Sequence, residues 1–409
     1  MVSAVLLQAG RPLHHVRGVV AHLVPCAGQA RSAVITTNVA ALPAAEVDPF
    51  ARWPDGRIYG MFDCKPQPTT WHVKDRLLAG RAHVLAGVGG SSKTRLQYHL
   101  AAGAVLGRLP WDWTVTTTGS AALFLLEDSI DDSHRVLHAM GAHFDEAARR
   151  QLDSHLRVFQ LAGFPARLLQ LSGQKLIETE VFDWLLDKIE RMPKPVAYIG
   201  IDPALGVTEG DELSPSHQRR LGELMDHIAI TTGACVVLTA HAAKNNYQAD
   251  ELGSHAARGS GALTDVMRAE YALRSMTADE ARKFGIDDIV ERKRYVQLAC
   301  TKANNAPPEA FAPVWLRRGE AGLLSGVTLD QVERGSVGQR ELQALEILRK
   351  DQVTGETSMK HWRLQCVSAG VIAAGTATAQ EKAMERIRDT LRDAGLVAPG
   401  AARGLWIPA

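Results

Sequence analysis

The sequence predicts an α/β domain with a mostly parallel sheet, followed by a smaller domain of winged helix-turn-helix type. Three observations predict it. Between residues 66 and 327, short and nearly continuous apolar runs alternate with amphipathic stretches, as strands buried on both faces and joined by helices should. A glycine-rich turn, Gly87-Val-Gly89-Gly90-Ser91-Ser92-Lys93-Thr94, separates the first strong apolar run from the first helical one. After Gly335 the order becomes helix, helix, helix and two short apolar segments, the order of a winged helix-turn-helix.

Taken in chain order, residues 1–60 carry apolar side chains without steady periodicity and are punctuated by Gly10, Gly18, Gly28, Pro25, Pro43 and Pro54. They are expected to form a poorly structured extension, and Met61 lies where a mis-assigned start codon would account for it. Residues 61–330 form the expected α/β domain. Its strands are predicted at 83–86, 121–126, 196–201 and 234–239, and its helices at 93–105, 132–141, 178–191 and 216–231. Residues 337–409 form the expected second domain, with helices at 339–350, 357–364 and 380–394. No internal repeat or low-complexity stretch interrupts this order.

Composition narrows the function classes. The 46 Lys+Arg and 45 Asp+Glu leave a formal charge of +1, so no global basic field draws the chain to nucleic acid or a membrane surface. Any such binding must be local. Five cysteines, Cys26, Cys64, Cys235, Cys300 and Cys366, are scattered and odd in number, which argues against a disulfide framework or a zinc knuckle. No apolar run approaches the ~18 residues of a membrane span, so the expected location is cytoplasmic, with no membrane partner.

The glycine-rich turn has the chemistry of a phosphate-binding loop. Backbone N–H groups around Gly87, Gly89, Gly90, Ser91 and Ser92 can cradle phosphate oxygens of ATP, Lys93 can reach the β/γ-phosphates, and Thr94 can offer its hydroxyl to Mg²⁺. Ser92 occupies the glycine slot before the lysine, which a serine fits if its φ is negative. The alternative is a Gly/Ser turn ending in a surface lysine. Asp202 closes the run Val196-Ala-Tyr-Ile-Gly-Ile-Asp202, where a carboxylate can position the metal; the alternative is the opening of an Asp-Pro turn. Glu127 follows a buried run and can polarise an attacking water, while Asp128 reads as the N-cap of the next helix. His241 ends the fourth strand, where ligands of parallel sheets gather, and can sense the γ-phosphate.

With these residues in place, the chain resembles the RepA-like hexameric replicative helicase family, RecA-like P-loop ATPases of plasmids, phages and mobile elements. Matching stretches recur in order over residues 65–329: Gly89-Gly90-Ser-Ser-Lys93-Thr94, Glu127-Asp128, Leu137-His138-Ala-Met-Gly141-Ala-His143, Ile201-Asp202, Thr232-Gly233-Ala-Cys-Val-Val, His241-Ala-Ala-Lys244, Ala257-Arg258-Gly259-Ser260, Ser275-Met276-Thr277-Ala278, Phe284-Gly-Ile-Asp287-Asp288 and Thr301-Lys302-Ala303-Asn304. The resemblance implies a RecA-like core assembling into a ring, a hexamer, with ATP between subunits. It makes Glu127 the general base, His241 the γ-phosphate sensor, Asp202 a metal acid acting through water, and Arg268 an arginine finger given to the neighbouring site. One position departs: where the family carries a further arginine after the Glu-Asp pair, this chain has Val136 with Arg135 adjacent.

The resemblance further implies single-stranded DNA and replication proteins as partners. Lys244, Asn245 and Asn246, with His255, form the DNA-contact candidates, although Asp250 and Glu251 and the lack of an aromatic leave a solvated linker as the alternative. In the C-terminal domain, Lys382, Arg386, Arg388 and Arg392 alternate with Glu381, Glu385, Asp389 and Asp393, a pattern of self-paired charge as much as of DNA recognition. The expected function is an ATP-driven, ring-forming helicase or single-stranded DNA translocase of a plasmid, phage or integrated element. A DNA-remodelling ATPase without unwinding and a nucleotide-switched DNA-binding regulator are the alternatives.

Overall fold

The computed structural model describes residues 62, 65–242, 261–286, 288–330, 337–351, 357–400 and 404–408. The expected extension 1–60, Met61 and the DNA-contact candidates Lys244, Asn245, Asn246 and His255 lie outside them. Two compact units emerge: one runs to Thr277 and resumes over Val290–Thr328, and the other comprises Ala278–Ile289 and Leu329–Ala409.

The first unit is organised around a nine-stranded sheet. In chain order its strands are β1 (Ala82–Gly87), β2 (Ser120–Leu125), β3 (Leu156–Gln160), β4 (Val196–Asp202), β5 (Cys235–His241), β6 (Ala269–Ser275), β7 (Tyr295–Ala303), β8 (Val314–Arg318) and β9 (Leu324–Gly326). Their order across the sheet is β9-β8-β7-β6-β1-β5-β4-β2-β3. The six strands from β6 to β3 run parallel, and β7, β8 and β9 continue the sheet antiparallel beyond β6. This is the mostly parallel sheet of a RecA-like core.

Period-2 alternation divides the buried side chains between the two faces. Leu85, Leu123, Leu125, Val237 and Leu273 face one core, which also holds Leu96, Leu100 and Val105 of helix α1 (Lys93–Leu106). Val84, Ala86, Phe124, Ile199, Ile201 and Leu238 face the other, packed against Phe182, Leu185 and Ile189 of one helix and Leu221, Leu224, Met225 and Ile228 of a second. Because both faces are covered, the strands need no polar alternation, which is why their runs read as continuous.

Helix α1 crosses the sheet at its centre. Gln97 is fully buried there, donating to Val237 O (3.0 Å) and accepting from the Tyr198 hydroxyl, so its amide is satisfied by two different strands. That approach requires Gly200, because a Cβ there would lie 2.3 Å from Gln97 Oε1 and 2.6 Å from Leu123 Cδ2. Next come α2 (Ile130–Gly141), α3 (Glu146–His155), α4 (Glu180–Glu190) and α5 (Pro215–Thr232). The helix expected from 132 starts earlier because Ser129, not Asp128, is its N-cap: Ser129 Oγ accepts from Asp132 N (3.2 Å) and Asp132 Oδ2 accepts from Ser129 N (3.0 Å). The helix expected from 178 starts later, since Lys175–Glu178 pairs with Leu169–Ser172 as a hairpin and Thr179 precedes α4.

The C-terminal unit has its own core. Helices α6 (Gln339–Asp351), α7 (Met359–Ser368) and α8 (Ala377–Asp393) enclose Leu345, Leu348, Trp362, Cys366, Ile387 and Leu391. Trp362 donates its indole N–H to Ala344 O (2.8 Å). Thr357–Ser358, Val397–Pro399 and Leu405–Pro408 form a three-stranded antiparallel sheet, so the second expected helix loses its first two residues to a strand. Ser358 and Thr376 cap α7 and α8 by accepting from His361 N and Ala379 N. Among the described residues, no helix is long and apolar enough to cross a membrane.

Candidate active site

The sheet order explains how residues far apart in sequence meet. Crossing from β1 through β5 and β4 to β2 takes three inter-strand steps, on the order of 14 Å. Each strand delivers one polar side chain at its C-terminal end. The phosphate loop follows β1, His241 ends β5 in register with Gly87, Asp202 ends β4 in register with Leu125, and Glu127 stands two residues past β2. A cavity of about 420 Å³ opens there, lined by Gly89, Gly90, Ser91, Ser92, Lys93, Thr94, Arg95, Glu127, Asp202, Pro203, His241, Arg318, Ala321 and Gly322.

The loop is shaped by backbone conformation. Gly90 has φ +75°, and Gly87 must lack a side chain because a Cβ would meet Ser91 Oγ at 2.3 Å. Ser92 is left-handed, with φ 78° and ψ 23°, which overturns the expectation of a negative φ at this position. That conformation is disfavoured by roughly 1–2 kcal/mol for a residue with a Cβ. Its hydroxyl makes no cap bond to α1 and instead accepts from Arg318 Nε (2.7 Å). The first turn of α1 carries no acidic residue, so its amide groups and the positive end of its dipole are left for an anion.

Lys93 is buried, and its ammonium donates to Gly87 O (2.8 Å) and Val88 O (3.1 Å). Burial lowers its pKa, and the carboxylates of Asp202 and Glu127 pull it back up. Thr94 Oγ1 donates to Asp202 Oδ2 (2.5 Å), and Thr239 Oγ1 donates to Asp202 Oδ1. Two hydroxyls thus fix both oxygens of a nearly buried carboxylate. An all-oxygen pair beside an exposed glutamate fits a hard cation such as Mg²⁺, which Thr94 and Asp202 would hold. Glu127 is exposed at the mouth, where water reaches it.

Other assignments fall elsewhere. Asp128 sits 3.8 Å from Arg95, and burial raises its pKa against the pull of that arginine. Val136 is fully buried core, and Arg135 pairs with Asp132 at 2.6 Å on the surface, so neither lines the cavity. Arg268 immediately precedes β6, and its N–H donates to Ala82 O (2.9 Å) at the start of β1. It therefore stands at the opposite end of the strands from the phosphate loop, about 16 Å away along five strand residues. Its own side chain does not reach its own cavity. Arg268 Nε is buried without a hydrogen-bond partner among the described residues.

Two cavity residues carried no signal in sequence. Arg95 follows Thr94 and donates to Ala321 O (2.9 Å). Arg318 ends β8, over 220 positions downstream of the loop it touches, and no local motif marks it. Only the pairing of β7, β8 and β9 brings it back.

Residues 48–247, just under half of the chain, match the family model of an AAA domain. The match begins ahead of Met61 and ends before β6, so it covers the phosphate loop, Glu127, Asp202 and His241 but neither Arg268 nor Arg318. Phosphate loop, strand-end carboxylates and family match agree: the chain carries a nucleotide-binding P-loop ATPase domain with a RecA-like core.

Proposed function

We propose that this ATPase is a ring-forming helicase or single-stranded DNA translocase of a plasmid, phage or integrated element. One observation carries the reading furthest: the cavity gathers Lys93, Thr94, Glu127, Asp202 and His241 at the C-terminal ends of the parallel strands, while Arg268 stands at their N-terminal ends. A site assembled between subunits would use both ends of the parallel strands of the same core at once.

In this reading Lys93 leaves its loop carbonyls for the β/γ-phosphates of ATP, and Thr94 and Asp202 hold Mg²⁺, which neutralises phosphate charge when bound. Glu127 accepts the proton of the attacking water. His241, between the loop and Asp202, registers loss of the γ-phosphate and passes it to the following segment, where Lys244, Asn245 and Asn246 are assigned to single-stranded DNA. Arg268 stabilises charge in the neighbouring subunit's site. The resemblance supports a hexamer and replication proteins as further partners.

For the C-terminal unit, read as a winged helix-turn-helix, several of the basic residues are already paired. Arg388 and Arg392 pair with Asp389 at 2.8 and 3.3 Å, and Arg363 pairs with Glu381 at 2.5 Å. This favours a docking or capping role over sequence reading, and disfavours the nucleotide-switched regulator. The test is ATP turnover with and without single-stranded DNA, alongside native mass in ATP. Stimulated turnover and a ring mass are expected. A monomer whose turnover ignores DNA would sink the translocase reading and leave the ATPase.

A further inference from the structure

Arg318 is held over the phosphate loop by three uncharged acceptors. Nε donates to Ser92 Oγ (2.7 Å), Nη2 to Gly90 O (3.0 Å) and Nη1 to Lys293 O (2.6 Å). These use three of its five N–H groups, and the residue lines the cavity that the loop encloses. This half-buried guanidinium has lost water without gaining a counter-charge among the described residues, and burial accordingly pulls its pKa down. An anion in the cavity would supply that charge, and a bidentate fork suits phosphate oxygens.

The surroundings hold the fork in place. Ser92 adopts a left-handed conformation where glycine is usual, and its hydroxyl goes to Arg318 rather than to the helix it precedes. The turn after β8 is fixed to α1 by the bond from Arg95 to Ala321 O. Leu324 N at the start of β9 donates to His99 Nε2 (2.9 Å) on the same helix. The flank carrying Arg318 is therefore tied to α1 at two points and to the phosphate loop at Ser92.

We propose that Arg318 is a phosphate-contacting residue supplied in cis from β8, aimed by Ser92, and that it recognises the polyphosphate chain of a nucleoside di- or triphosphate. The proposal rests on the reading of the cavity as the nucleotide site, and it assigns Arg318 a place separate from Arg268 at the far end of the strands. It also gives the antiparallel flank a function, since nucleotide would then bridge the phosphate loop and β8.

The test is equilibrium binding of ATP, inorganic tripolyphosphate and AMP to the full chain and to Arg318→Ala, Arg318→Lys, Ser92→Ala and Lys93→Ala. Arg318→Ala is expected to weaken ATP and tripolyphosphate by about 10- to 100-fold, the loss of a charge-assisted fork, with AMP changed by less than about threefold. Arg318→Lys keeps the charge without the fork and should fall between, and Ser92→Ala should lose less, in the same direction. ATP and tripolyphosphate affinities within about twofold of the parent, or an equal loss for AMP, would overturn the proposal. If Arg318→Ala melts well below the parent, Arg318→Lys decides on the same criterion. Lys93→Ala separates the two readings: tripolyphosphate binding unaffected by that substitution would remove the nucleotide site itself, and the role of Arg318 with it.

Discussion

On one side of the phosphate loop, β5, β4 and β2 run parallel to β1 and end in or just before His241, Asp202 and Glu127. On the other side, the chain passes through β6 and then folds back as β7 and β8 before Arg318 arrives at the same cavity. The first side brings acids and a histidine directly from strand ends, as parallel sheets do. The second brings an arginine through an antiparallel detour, and leaves Arg268 at the opposite end of the strands. The carboxylates thus come from one flank of the nucleotide site and Arg318 from the other, with Lys93 and Arg95 on the loop and helix between them, so substitutions on the two flanks should fail in different ways.

The largest difference is expected at Arg268. Arg268→Ala should lower ATP turnover by ~10³–10⁵ while ATP still binds, because its side chain does not enter its own cavity. A small loss would confine catalysis to one subunit. Next, Glu127→Gln should lower turnover by ~10²–10⁴ and retain ATP, whereas Lys93→Ala should lose ATP affinity itself. Retained turnover in both variants would remove the catalytic assignment of the parallel flank.

Stability separates the flanks more gently. Gly200→Ala forces a Cβ into Gln97 and Leu123 at the centre of the parallel half, and should cost roughly 1–3 kcal/mol by chemical denaturation. An unchanged midpoint would mean that α1 does not need its close approach to β4.

Acid should act through three buried histidines. His72, His83 and His99 have pKa values lowered to about 4 from 6.5, chiefly by burial. Between those values the unfolded chain binds more protons than the folded one, so stability is full above about pH 6.5 and falls as pH drops towards 4. At pH 5.5 the loss is on the order of 1 kcal/mol for each histidine. Since His99 anchors β9, a fall in melting temperature should be accompanied by loosening of the antiparallel flank; a flat profile from pH 7 to 5 would contradict this.

The parallel half was legible because burial on both faces writes itself as continuous apolar runs, and because strand ends place polar residues in a stated direction. Glu127, Asp202 and His241 could be found that way. The antiparallel flank mixes Gln297, Thr301 and Lys302 among apolar neighbours and is held by pairings between distant segments, so neither β8 nor Arg318 announced itself. The left-handed φ of Ser92 was equally hidden, since it is stabilised by a partner more than 220 residues away. Asp128 resembles a cap in sequence, but Ser129 beside it offers the capping oxygen.

The proposal that one core contributes to two nucleotide sites, its own and its neighbour's, is tested most directly by mixing Arg268→Ala with Lys93→Ala. Neither variant alone should turn over ATP. In mixed rings, some interfaces place an intact phosphate loop against an intact arginine, and partial turnover should return in proportion to their number. Mixtures that demonstrably co-assemble and stay as inactive as either parent would contradict the account.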